Sequence, residues 1–282
     1  MGKNSHIEWT HHTFNPWWGC AKVSPACTHC YAESLTNRFG GANWGVKGKR
    51  RFFGTAHWNE PTNWNAEAQH TKTRFRVFCA SMSDVFEDRR DLDAERVKLW
   101  ALIDKTRSLD WLLLTKRPES VQKLVPWGTQ WPDNVWLGTS VENQEWADKR
   151  IPELLAAPAK IRFLSCEPLL GALDLRLYTK KNGIHWIIVG GESGRGSRPM
   201  HPNWVRGLRD FAAKRGIAFH FKQWGNFAPA PKKLSEQTQF TFPDDVIMVS
   251  RHKAINGRNL DGRTHDGFPT ELPKRESRPA HE

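Results

Sequence analysis

Trp186-Ile187-Ile188-Val189 runs into Gly190-Gly191-Glu192-Ser193-Gly194, and Pro202 to Arg215 then leads to Ala218-Phe219-His220-Phe221. The first and last of these runs are short and almost continuously apolar, as in parallel strands covered on both faces. The middle one is an amphipathic helix. Pro202 suits its first turn, Trp204, Val205, Leu208, Phe211 and Ala212 make its apolar stripe, and Gly216 can close it. Two such strands joined through a helix form a parallel unit with a right-handed crossover.

The same rhythm extends back to Arg74. Candidate strands fall at 76–80, 111–114, 135–138, 161–164, 186–189 and 218–221. A helix is expected over 93–107, with Asp93 as its cap. Another starts near Asn143, which Pro152 should break or shift. The predicted fold class is α/β, a partial (β/α) TIM-like barrel of parallel strands. It carries an N-terminal cysteine loop and a C-terminal extension.

Each strand exits into small, polar or charged residues: Ser81-Met82-Ser83-Asp84, Thr115-Lys116-Arg117-Pro118, Thr139-Ser140-Val141-Glu142, Ser165-Cys166-Glu167-Pro168, Gly190-Gly191-Glu192, and Lys222-Gln223-Trp224-Gly225. In barrels and doubly wound sheets the ligand site lies at these carboxyl ends. Six polar exits in succession therefore predict a shared rim.

The N-terminal third holds Cys20-x6-Cys27-x2-Cys30, followed by Tyr31-Ala32-Glu33, in a Trp- and Pro-rich loop. Three thiolates this close suit a metal or an iron–sulfur cluster, and a four-iron cluster on three cysteines keeps one iron open. Zinc is the rival, because Cys27-x2-Cys30 is a common half-site and His29, His11 or His12 offers a fourth ligand. Against zinc, no second Cys or His pair follows downstream. Of the other cysteines, Cys79 reads as core. Cys166 reads either as buried structure or as a thiol facing the rim, able to give a hydrogen atom to a radical.

The chain has 282 residues, 38% of them hydrophobic and 26% charged, which excludes a low-complexity polymer and fits a soluble protein. No run nears the roughly 20 apolar residues of a membrane span, and the N-terminus has no secretory pattern. Five cysteines are too few for a disulfide scaffold, so a reducing cytoplasm is expected. A net charge of +12 favours a polyanionic partner, and fifteen tryptophans supply either core or base-stacking surface. The dense basic run is Lys47-Gly48-Lys49-Arg50-Arg51. It lies in a stretch, 40–74, that reads as an inserted loop because of its glycines and Pro61. Two parts are expected, a barrel over 1–225 and an extension over 226–282 whose last ten residues are charged and disordered.

Asn15-Pro16 before Gly19-Cys20, together with Ser24-Pro25-Ala26-Cys27-Thr28-His29-Cys30-Tyr31-Ala32-Glu33, resembles the three-Cys-motif proteins of phages and prophages, a family of unknown function. Thr115-Lys116-Arg117-Pro118, Glu167-Pro168-Leu169, Gly190-Gly191-Glu192-Ser193-Gly194, Phe221-Lys222-Gln223-Trp224-Gly225 and Gly257-Arg258-Asn259-Leu260-Asp261-Gly262-Arg263 look like its later blocks. That family is in turn similar to the radical S-adenosylmethionine (SAM) superfamily, which includes the lyases that repair spore DNA photoproducts. The resemblance implies a partial barrel with the cysteines just after its first strand. It also implies a [4Fe-4S] cluster on Cys20, Cys27 and Cys30 whose open iron chelates SAM, and an electron donor that drives cleavage of SAM to a 5′-deoxyadenosyl radical. Two features depart from the superfamily: the first cysteine interval is six residues rather than three, and Gly-Gly-Glu follows a late strand rather than the second. Ser81, Ser83 and Asp84 are therefore the first candidates for the SAM amino group.

The expected function is a radical-SAM-like enzyme acting on a nucleic acid or a nucleotide-derived substrate. Lys116, Ser140, Glu142, Ser165, Glu167 and Glu192 join the three β-exit residues as cofactor contacts, and Cys166, Glu192 and Lys222 are candidate catalytic groups. Lys116, Arg117, Lys222 and the 47–51 run are candidates for phosphates. Two other readings stay open: a metal-stapled nucleic-acid-binding protein without catalysis, and a zinc-dependent hydrolase on a β/α barrel.

Overall fold

The computed structural model describes residues 2–38, 40–178, 183–230 and 239–269. In chain order come β1 (His12–Thr13), β2 (Trp17–Trp18), α1 (Tyr31–Asn37), β3 (Arg51–Phe52), α2 (Thr55–Thr71) and β4 (Phe75–Cys79). Then follow α3 (Asp93–Lys105), β5 (Leu109–Thr115), α4 (Val121–Leu124), β6 (Val135–Ser140), α5 (Gln144–Ala156) and β7 (Ile161–Cys166). β8 (Trp186–Gly190), α6 (Pro202–Arg215) and β9 (Ala218–Gln223) complete the series. Beyond it lie β10 (Phe227–Pro229), β11 (Gln239–Thr241), β12 (Ile247–Ser250) and α7 (Lys253–Asn256).

Seven strands form one sheet in the order β1-β4-β5-β6-β7-β8-β9, every neighbouring pair parallel. Their side chains alternate between two cores. Val77, Leu113, Leu137, Leu164 and Val189 face the helices. Phe78, Leu112, Trp136, Phe163, Trp186 and Ile188 face the other way, around Trp9. That second face is concave. Trp9 packs on Phe78 of β4 at 4.6 Å and also meets Trp186 of β8 at 6.1 Å. In a flat sheet, four strand spacings of about 4.8 Å would hold these two positions roughly 19 Å apart. The sheet is thus a curled half-barrel, and its lumen is filled with aromatic rings. Gly138 permits this filling, since a Cβ there would collide with the Phe163 ring.

The C-terminal segment seals the seam between the two sheet edges. Phe221 N–H donates to His265 O and Gly267 N–H to Phe219 O, each at 2.9 Å, so residues 265–267 run antiparallel beside β9. Phe268 then packs on Trp186, and the Arg76 guanidinium of β4 lies 4.0 Å over its ring. The β9 edge of the open sheet is thereby paired. The extension is part of the barrel's closure here, although its small antiparallel sheet, β10-β12-β11, is separate.

Two expectations need correction. The stretch 40–74 is not all loop: α2 occupies its second half, with Pro61, Trp64, Asn65 and Ala68 buried at helical spacing. Buried Asn65 is satisfied there, its Oδ1 accepting from Ser108 N–H at 2.9 Å. Pro152 does not break α5, which runs through it because Ile151 and Leu154 on either side are buried and Asn143 caps its start. The helix after the cysteines ends at Asn37. The last ten residues lie outside the described residues. No helix among the described residues is long and apolar enough to cross a membrane.

Candidate functional site

The strand exits converge on a cavity of about 220 Å³. Its walls carry Cys20, Cys27 and Cys30 from the loop, Ser81, Ser83 and Asp84 after β4, and Lys116 and Arg117 after β5. Ser140, Ser165, Glu167, Glu192 and Lys222 complete them from β6 to β9, while Ile7, Trp9, Phe78 and Leu114 form an apolar floor. Twelve of the fourteen predicted site residues thus line one space.

Cys166 and Glu142 do not line it. Cys166 sits in register with Val189 and packs in the helix-side core without exposure, so strand alternation turns it away while Ser165 and Glu167 face in. Burial, with the nearby Glu167 and Glu142 charges, pushes its thiol well above the ordinary value. It is structural, as is Cys79. Glu142 lies beneath the cysteine loop: its Oε1 accepts from Ala26 N–H at 3.2 Å and its Oε2 from Arg150 Nη1 at 2.9 Å, with both side chains buried.

Glu142 is one of three clamps on the cysteine loop. At the Cys20 end, Arg117 Nη1 donates to Cys20 Sγ at 3.4 Å and Nη2 to Ala21 O at 2.7 Å, while Asp84 accepts from Nη1 at 3.1 Å. At the Cys27–Cys30 end, Glu192 accepts from Arg198 Nε and N–H, both at 2.8 Å, and lies 3.1 Å from His29 Nδ1. Arg198 Nη2 also reaches Pro25 O at 3.0 Å. The loop is therefore gripped from the exits of β5, β6 and β8. Asn15 aligns its start, accepting from Met82 N–H at 2.7 Å and donating to Ser81 Oγ at 3.1 Å. Tyr31 O–H donates to Ser81 O at 2.8 Å and fixes its end.

These contacts sort the acidic groups. Asp84 is saturated: Oδ1 accepts from Phe86 N–H and Thr115 Oγ1, and Oδ2 from Lys116 N–H and Arg117. Burial works against ionisation of Glu192, but the Arg198 bonds outweigh it and hold its carboxyl below the usual range. Glu167 differs. Its Oε2 lies 3.3 Å from Lys222 Nζ, and its Oε1 is buried with no hydrogen-bond partner among the described residues. Ser83 Oγ and Ser140 Oγ on the same cavity are likewise buried and unpartnered among the described residues.

The basic run 47–51 is reinterpreted as well. Arg50 is not offered to a ligand: it is buried against Glu87 and donates to the Asn43, Gly45 and Gly48 carbonyls. It thus shapes the loop whose Trp44 borders the cavity and leaves Lys47 and Lys49 outside that network. Arg117 is also engaged, in the clamp described above. Arg198 and Arg150 were invisible as functional residues in sequence, because each looks like one more surface cation until its carboxylate partner is brought near by folding.

Burial raises the Cys20 thiol to about 12, with Asp84 adding to it and Arg117 opposing, and burial raises Cys30 too. Such thiols become ligands when a bound cation compensates the desolvated thiolate. Among the described residues no three His, Cys, Asp or Glu side chains converge closely enough to hold one ion. In a cubane each thiolate binds a different iron, so its ligands stand farther apart than those of a single ion.

Over residues 4–269 the chain matches the family described as "Protein of unknown function (DUF5131)", and it belongs to that family. Comparison with curated proteins and with solved structures gave no match.

Proposed function

We propose that this member of a family of unknown function is a radical-SAM-like iron–sulfur enzyme acting on a nucleic acid or a nucleotide-derived substrate. The observation that carries the reading is that Cys20, Cys27 and Cys30 border the same cavity as the carboxyl-end residues of a curled parallel sheet. The donor set fits a cluster: three soft thiolates, with no fourth cysteine beside them, leave one iron open to a small molecule.

Bound and reduced, the cluster would supply the electron that cleaves SAM to a 5′-deoxyadenosyl radical. The chain's own residues prepare that site. Arg117, Glu142 and Glu192 with Arg198 hold the loop so that its sulfurs need little reorganisation. Ser83, Ser140 and Glu167 offer polar atoms to bound molecules, and Ile7, Trp9, Phe78 and Leu114 offer an apolar surface. Lys116 gives the wall a cation for a carboxylate or phosphate. The net charge of +12 supports a polyanionic substrate.

Anaerobic purification tests this directly, with assays of iron, sulfide and zinc followed by incubation with SAM and a strong reductant. Iron and sulfide near cluster stoichiometry and release of 5′-deoxyadenosine are expected. Stoichiometric zinc in protein made under cluster-loading conditions would overturn the reading and favour a zinc site, for which His29 is the nearest extra ligand in sequence.

A further inference from the structure

Glu167 stands apart from the clamping carboxylates. Asp84 and Glu192 have both oxygens engaged by the chain itself, whereas Glu167 keeps Oε1 buried and unpartnered among the described residues. Its placement is built into the sheet. A Cβ at Gly190 would stand 2.5 Å from Oε1 and 3.3 Å from Cγ, so the side chain crosses β8 over a glycine to reach Lys222 of β9. On the other side, Ser140 of β6 is in register with Ser165 of β7, and its buried hydroxyl is also unpartnered among the described residues. A buried acceptor and a buried hydroxyl without partners cost free energy, and together on a cavity wall they indicate a ligand that supplies the missing bonds.

The chemistry of that ligand is constrained. Glu167 and Lys222 cancel in charge, so the wall suits a neutral group that sets a donor beside an acceptor. The floor of Ile7, Trp9, Phe78 and Leu114 suits a flat ring. We propose that this wall reads a nucleobase carrying a ring N–H beside a carbonyl, as guanine and uracil do. The N–H donates to Glu167 Oε1 and Lys222 Nζ donates to the carbonyl oxygen. A base in a polynucleotide reaches the wall by leaving its stack. The inference rests on the cavity being the reaction site and names its substrate class.

The test is equilibrium titration of the full chain, as isolated, with guanosine and uridine monophosphates. Adenosine monophosphate and N1-methylguanosine monophosphate are the comparisons. Guanosine and uridine monophosphates are expected to bind at least 10-fold more tightly than either comparison. Glu167→Gln should abolish that preference, because its amide turns oxygen to Lys222 and meets the base N–H with another N–H. Gly190→Ala should do the same without altering the carboxylate. The three atoms nearest its Cβ all belong to the Glu167 side chain, which can yield, so the fold survives, as thermal melting will report. Equal binding of all four nucleotides by the wild-type chain overturns the proposal, as does an unchanged preference in both variants. Loss of S-adenosylhomocysteine binding with base preference intact in the variants also overturns it, assigning Glu167 to the cofactor. The titration requires neither iron nor SAM. A chain that discriminates bases but holds no cluster sinks only the proposed function, and one that cleaves SAM without base preference sinks only this inference.

Discussion

Gly190 and Gly191 are adjacent, yet they answer to different neighbours. At Gly191 a Cβ would run into the Trp224 carbonyl, a backbone atom that cannot yield, whereas at Gly190 it meets the tip of Glu167. Gly191→Ala should therefore destabilise by about 3 kcal/mol, the upper end for an overpacked site, and Gly190→Ala by far less. Chemical denaturation of the two variants checks the order. The cysteines divide in the same way. Cys27→Ala should remove most of the bound iron, because a cluster keeps only two protein ligands. Cys166→Ala should leave iron content unchanged and cost on the order of 1–2 kcal/mol from the emptied core position. Equal iron loss in both would contradict the assignment. In sequence these two cysteines differed only by company, and the lone one stood beside a glutamate that does face the cavity.

The elements that the chain's rhythm announced are the ones whose burial follows one period. β4 to β9 and α6 fall where apolar runs and the capped amphipathic stripe put them, and Gly216 takes the left-handed conformation that closes α6. α2 escaped notice because Pro61 and Asn65 occupy two of its four buried positions and read as loop residues. Its spacing was nevertheless helical. The cysteine loop has no periodicity to read, and its order depends on charged partners 96 to 173 residues away in the chain. Glu142→Ala should leave Arg150 as an unpaired buried charge and cost about 3–5 kcal/mol, with faster hydrogen exchange across residues 20–31. Glu145→Ala, which breaks only the exposed pair with Lys149, should change stability by under about 0.5 kcal/mol and leave that exchange unaltered.

For the molecule as a whole, closure of the half-barrel sets an acid limit. His220 lies buried in the lumen beside Trp186 and Phe268, near the seam. Burial, and then the Arg258 charge, lower it from 6.5 to about 4, with Asp266 opposing. His12, stacked on Trp64, is lowered to about 4 chiefly by burial. Because both folded values are depressed, the neutral forms stabilise the fold above pH 6.5, and that contribution is lost as pH falls toward 4. Each is worth at most about 3 kcal/mol. His220→Phe should flatten part of the loss of melting temperature between pH 7 and 4.5, and a loss identical to wild type would refute the assignment. The amino-acid order alone established the β/α rhythm, the polar strand exits and the three-cysteine loop, because local periodicity and spacing are properties of neighbouring residues. Which exit groups meet a ligand and which grip the loop came from folding. Strand alternation says that Ser165 and Cys166 face opposite ways, but only the curl of the sheet makes one of those faces a cavity. Only three-dimensional proximity brings Arg117, Arg150 and Arg198 to the loop and leaves Glu167 with an oxygen to offer.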